Sequence, residues 1–215
     1  MAVDTFSAHR HNDNMLVVSP ESTAVLVIDM LNDFCIAGGA MVLPGAEVLY
    51  PPQNAILTAV RESGGTVVFV NDCHHPGLRE DREYSKRTPH CVTGSWGAQV
   101  VDSLNRHSDD FQVAKHRYSG FFGTDLDLIL KDMRIATLIV IGVVTNICVR
   151  STVHDAFFNG YHVVVPEDCV AATGPREQAS SLYDIATHFG IVSKSADVIK
   201  GLREGVPIVN LITDD

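Results

Sequence analysis

Thr137-Leu-Ile-Val-Ile-Gly-Val-Val-Thr-Asn-Ile-Cys148 opens with the most apolar run of the chain and stops in a short polar turn. A helical pattern follows from about Ile147 to Phe158, closed by Asn159-Gly160. A continuous β-branched run of this length reads as a strand buried on both faces, which is the habit of a parallel sheet covered by helices. The same grammar repeats on either side. Ala24–Ile28 is an apolar run that stops at Asp29, and Thr66–Val70 stops at Asn71-Asp72. Phe111–Ala114 is a weaker run ending at Lys115, Tyr161–Val165 ends at Pro166-Glu-Asp168, and Ile191-Val192 opens a last short strand. Helical patterns cover about Ala46 to Ser63 (closed by Gly64-Gly65), Gln99 to Asn105, Leu126 to Met133 and Glu177 to His188. Strands alternating with helices predict βαβ units, hence an α/β fold: a doubly wound three-layer α/β/α sandwich with a mainly parallel, Rossmann-like sheet.

Composition sets the outer limits. The 215 residues are 46% hydrophobic and 20% charged, enough for one domain with a sizeable core and against disorder. Residues 1–20 read as a polar arm and 21–215 as one domain, with no internal repeat or linker. A net charge of −10 argues against nucleic acid or an anionic membrane surface as partner, since both need a basic face. No run of about 18 apolar residues and no apolar leader stands out, so a cytoplasmic location is the expectation. Five irregularly spaced cysteines (Cys35, Cys73, Cys91, Cys148 and Cys169) without a CxxC pair suggest a reduced compartment rather than a disulfide framework.

In open parallel sheets the ligand crevice lies beyond the carboxyl ends of the strands. Asp29, Asp72, Lys115, the Gly142–Cys148 turn and Asp168 all fall there, placing acid, base and thiol on one sheet edge. Cys148 sits in the first turn of a helix, where free N–H groups and the helix dipole lower a thiol pKa and can hold an oxyanion. The position also suits a small buried hydrophobe. Asp29 suits a general base or a cap, and Lys115 an orienting cation or a solvated side chain. Asp33 could serve as the functional acid in place of Asp29, but its place after the turn suits a cap or solvated loop residue better. Asp72 and His74 at a strand end, with His90 from the following loop, offer one carboxylate and two imidazoles. That set suits one divalent ion (zinc, or iron or manganese), with Cys73, His75 and Cys91 as rival ligands and a solvated His-rich loop as the alternative. No organic cofactor is implied.

Three ordered blocks, IDMLNDFC from Ile28, VAKHRYSGFFGTDLDLIL from Val113 and GVVTNICVRSTVHDAFFNGY from Gly142, together resemble the cysteine-hydrolase branch of the isochorismatase-like superfamily. The likeness spans about residues 22–193. It implies an Asp–Lys–Cys triad at Asp29, Lys115 and Cys148. It also implies a non-proline cis peptide at Val144-Thr145, aiming the Thr145 and Cys148 N–H groups at an oxyanion. Isochorismatases that cleave a vinyl ether lack the cysteine, so Cys148 speaks for amide hydrolysis through a thioester. GGAMVLPGAE, the Asp72-x-His74 pair and PHCVTGSWGA resemble nicotinamidases, whose metal ligands would map onto Asp72, His74 and His90. Asp72-Cys-His-His-Pro76 carries one more residue before the proline than the nicotinamidase pattern. RYSGFF and TNICV resemble ureidoacrylate and N-carbamoylsarcosine amidohydrolases. The resemblance therefore implies nicotinamide hydrolysis first and a carbamoyl or ureido amide as alternative, with a catalytically silent binding protein as a further rival. Phe34, Trp96, Tyr118 and Phe121 are the candidate pocket walls. A homo-oligomer is implied by resemblance alone.

Overall fold

The computed structural model describes residues 14–78 and 82–212. Its strands are β1 (Met15–Leu16), β2 (Thr23–Ile28), β3 (Thr66–Asp72), β4 (Phe111–Lys115), β5 (Thr137–Val143), β6 (His162–Pro166), β7 (Val170–Ala171), β8 (Ile191–Ser193) and β9 (Ile208–Val209). Its α-helices are α1 (Asn32–Cys35), α2 (Tyr50–Glu62), α3 (Leu126–Asp132), α4 (Arg150–Phe158), α5 (Pro175–Asp184) and α6 (Ser195–Glu204). The main sheet runs β4-β3-β2-β5-β6-β8 with every pairing parallel, and β7 pairs with the end of β5. β1 and β9 form a separate antiparallel ribbon.

Period-two alternation along the buried strands divides the core into two layers. Val25, Val27, Phe69, Ile139 and Ile141 point to the face covered by α2 and α6. Ala24, Leu26, Ile28, Val68, Val70, Leu138 and Val140 pack on α3, α4 and α5 on the other. This is the three-layer sandwich expected from the apolar runs.

The chain builds outward from β2 in one direction as far as β4. It then returns to lay β5 against the other side of β2. The reversal makes a switch point between β2 and β5, where a crevice opens at the carboxyl ends of the strands. Close approach there demands glycine. Gly142 faces Ile28 across the ladder at φ +118°, and a Cβ on it would stand 2.0 Å from the Ile28 carbonyl oxygen. Asp29 follows directly in the left-handed region at φ 52°, a conformation that costs a non-glycine residue roughly 1–2 kcal/mol.

Some expectations change. The Gln99–Asn105 segment is not helical; a single 3₁₀ turn covers Trp96–Ala98. Its backbone is bonded elsewhere: the Gln99 carbonyl accepts from Asn32 N–H, Val101 N–H donates to Met30, and Asn105 N–H donates to Asn54 of α2. Tertiary partners have replaced the helical ladder. Helix α6 has no counterpart in the sequence reading, although Gly205 stops it in the left-handed conformation usual at such a position. Of the polar arm, residues 1–13 lie outside the described residues. Met15 and Leu16 belong to β1, and Val18 is buried. Among the described residues no helix is long and apolar enough to cross a membrane.

Candidate active site

Asp29, Lys115 and Cys148 meet at the switch point. β4 ends with Lys115 aligned to Asp72 of β3, which carries the ammonium under the end of β2. Lys115 is fully buried, its Nζ 2.8 Å from Asp29 Oδ2, 3.4 Å from Asp72 Oδ1 and 3.7 Å from Cys148 Sγ. Asp29 Oδ1 accepts the Asp72 N–H at 2.7 Å. Cys148 lies in a π-helical turn, Thr145–Val149, that feeds α4, and it is half-buried. The cis peptide bond is at Val143–Val144, one residue before the expected Val144–Thr145 position, at the very end of β5.

Burial dominates the electrostatics. It pushes the Asp29 carboxyl from an ordinary 3.8 up to about 6, with Lys115 pulling down and Asp72 pushing up. Burial lowers the Lys115 ammonium, but the negative charge beside it, that of Asp29 first, outweighs burial and holds it above its usual range. The Cys148 thiol is raised, chiefly by burial, with Lys115 opposing and the two carboxylates adding to it. A helix N-terminus lowers a thiol pKa, but here desolvation and two nearby acids overcome that effect. A protonated thiol therefore rests beside a base that is ionised at neutral pH.

A second group of side chains shares Asp72. His74 Nε2 stands 3.1 Å and His90 Nε2 3.2 Å from Asp72 Oδ2, and Glu83 Oε2 is 4.0 Å from His74 Nε2. All four residues are buried, with one donor atom from each lying within 4.8 Å of the others. His90 Nδ1 pairs with the Thr88 carbonyl at 2.7 Å, which makes it the N–H donor. Nε2 then faces a carboxylate oxygen, and a proton or a cation must lie between them. A buried His₂–carboxylate₂ set with one imidazole oriented by a backbone carbonyl fits a divalent ion. Burial raises the Asp72 carboxyl, but Lys115 and the two histidines outweigh it and hold Asp72 below its usual range.

Glu83 is the site residue that the sequence did not reveal. It sits in a charged loop segment between exposed Arg82 and half-buried Tyr84, and nothing in its spacing marks it as buried. The rival ligands lie apart from this set. Cys73 contacts Thr93, His75 lies against His116, and the Cys91 N–H donates to Asp33. Asp33, expected as a cap or solvated loop acid, is instead buried and ties two loops together by accepting from the Ala40 and Cys91 N–H groups. Asp168 turns away and binds the N–H and hydroxyl of Ser195 at the start of α6.

A cavity of about 280 Å³ reaches Asp29 and Cys148. Phe34 and Tyr118 line it, together with Leu43, Val144 and Ile147. Trp96 and Phe121 do not. Trp96 is half-exposed, while Phe121 packs on Tyr161 in the layer between the sheet and α3.

The family model described as Isochorismatase domain matches residues 23–197. The chain belongs to the isochorismatase family. Within it, the chain is 36% identical to the ureidoacrylate amidohydrolase RutB of Cronobacter sakazakii over 202 residues, 83% of this chain and 87% of that protein. The N-carbamoylsarcosine amidase of Thermoplasma acidophilum has a similar structure, with TM-score 0.72 and 35% identity over 81% of this chain and 96% of that one. So does a pyrazinamidase of Pyrococcus horikoshii solved in complex with zinc, with TM-score 0.74 and 29% identity over 80% and 99%. This isochorismatase-family protein is thus an amidohydrolase acting on C–N bonds.

Proposed function

We propose that the chain hydrolyses a small carbamoyl or ureido amide through a thioester on Cys148. The observation that carries the reading is the Lys115 ammonium, buried 2.8 Å from Asp29 and 3.7 Å from the Cys148 sulfur. Asp29 takes the thiol proton and the sulfur attacks the carbonyl carbon. Lys115 keeps Asp29 ionised and adds positive potential where the thiolate forms. The N–H groups of Thr145 and Cys148 belong to the first turn of a helix, whose leading donors have no partner within it. They receive the oxyanion. Asp29 returns the proton to the departing amine. Water, deprotonated by Asp29, then cleaves the thioester, releasing the acid and restoring the thiol.

The ureidoacrylate and N-carbamoylsarcosine relatives support the carbamoyl class. Nicotinamide is the second reading, favoured by the Asp72–His74–Glu83–His90 donor set and the likeness to a zinc-complexed pyrazinamidase. Those four residues would hold the ion, which supplies a Lewis acid for a substrate heteroatom. Ammonia release from ureidoacrylate, N-carbamoylsarcosine, nicotinamide and maleamate separates the two readings. Turnover of nicotinamide alone overturns the carbamoyl assignment. Full turnover in a folded Cys148→Ala variant overturns the thioester.

A further inference from the structure

Arg87 lines the same cavity as Cys148 and stands outside the Asp29–Lys115–Cys148 group. It is exposed, and its Nη1 donates to the neighbouring Lys86 carbonyl at 2.9 Å. Among the described residues no carboxylate pairs with it. The buried cation of the site, Lys115, is fully engaged by Asp29 and Asp72. Asp29, Asp72 and Glu83 make one end of the cavity acidic, so an anionic group finds no place there. Arg87 brings the opposite sign to the same lining. Tyr118 also belongs to the lining. Phe34, Val144 and Ile147 contribute apolar surface to the same cavity.

A guanidinium is a planar fork whose paired N–H groups match a carboxylate in a bidentate contact. At about 280 Å³ the cavity is at the small end of ligand sites, which run from roughly 300 Å³ upward. A short molecule therefore spans it. We propose that Arg87 is the anion-recognition residue of this cavity, and that the substrate is a small carboxylic acid whose amide or carbamoyl group reaches Cys148 while its carboxylate pairs with Arg87. This rests on Cys148 being the nucleophile. It goes further by fixing the charge of the substrate and its orientation.

The test compares maleamate with its uncharged diamide, maleamide, on the full chain carrying Arg87→Ala or Arg87→Lys. KM is measured on the active enzyme, and Kd by calorimetry on the Cys148→Ser background, where turnover cannot interfere. Loss of a charge-assisted contact should raise both constants for maleamate about tenfold to a hundredfold and leave those for maleamide within about twofold. Arg87→Lys should recover part of the loss, because the charge remains without the fork. Equal effects on the two compounds, no effect, or no maleamate binding to the Cys148→Ser chain overturns the proposal. If maleamate binding depends on Arg87 but no amide is hydrolysed by the unsubstituted enzyme, the hydrolase reading fails and the anion site stands.

Discussion

Replacing Lys115 with methionine keeps the length of the side chain and removes its charge. The ammonium lies 2.8 Å from Asp29 and 3.4 Å from Asp72 with no solvent exposure. At an effective dielectric of about 20, unit charges at such separations attract by roughly 5–6 kcal/mol. Proton uptake by a carboxylate is cheaper, at about 1.4 kcal/mol per unit between its pKa and the pH. Without Lys115, Asp29 should therefore bind a proton at pH 7 and cease to act as a base. In the intact protein its carboxyl is raised from 3.8 to about 6, which already costs the folded state about 3 kcal/mol. Full protonation caps that cost at about 4 kcal/mol at pH 7, so the further loss through Asp29 is only about 1–2 kcal/mol.

The slope with pH is more diagnostic than the offset. A carboxyl that is protonated when folded and ionised when unfolded releases its proton on unfolding, so stability falls as pH rises. In the intact protein this slope ends near pH 6; in Lys115→Met it should continue through pH 8 at about 1.4 kcal/mol per unit. Urea midpoints between about pH 6 and 8 measure it, and ammonia release should fall by about 10²–10⁴ as the general base is lost. A variant with the slope of the intact protein, or with activity within about tenfold, refutes the argument that Lys115 holds Asp29 ionised.

Three further outcomes follow from the same geometry. In the intact enzyme kcat/KM should decline as pH drops through about 6, where Asp29 takes up its proton; a flat profile down to pH 5 would remove Asp29 as the base. His74→Ala deletes one of the four buried donors. It should abolish stoichiometric divalent-ion uptake in elemental analysis or calorimetry, and unchanged uptake would place the ion elsewhere. Asp33→Ala removes the acceptor for the Ala40 and Cys91 N–H groups. Leaving the buried Cys91 donor unpaired costs about 1–3 kcal/mol, a loss visible in urea unfolding. Because Cys91 adjoins His90, ion affinity should weaken as well.

The legible part of the site consists of residues that end apolar runs. Asp29 and Asp72 follow β-branched apolar runs and Lys115 a weaker one, and a parallel sheet necessarily gathers such ends on one edge. Cys148 was legible for the same reason, one turn beyond Val143. Glu83 was not, because burial of a loop carboxylate depends on what the loop folds against rather than on local spacing. Trp96 and Phe121 show the same limit from the other side. Aromatic character nominated both for the cavity, but contacts with distant elements left one half-exposed and packed the other between layers.

By itself, then, the order of apolar runs and polar stops determined the layers, the parallel sheet and the edge at which chemistry could occur. These follow from the period of side chains along a strand and from the need to bury both faces. The strand order β4-β3-β2-β5-β6-β8, the shared role of Asp72 between Lys115 and the histidines, and the direction of each pKa shift were decided only by tertiary structure. Each depends on distance and desolvation between residues far apart in the chain. The helix N-terminus favours the Cys148 thiolate locally, but burial beside two carboxylates outweighs it, a quantity no window of sequence contains.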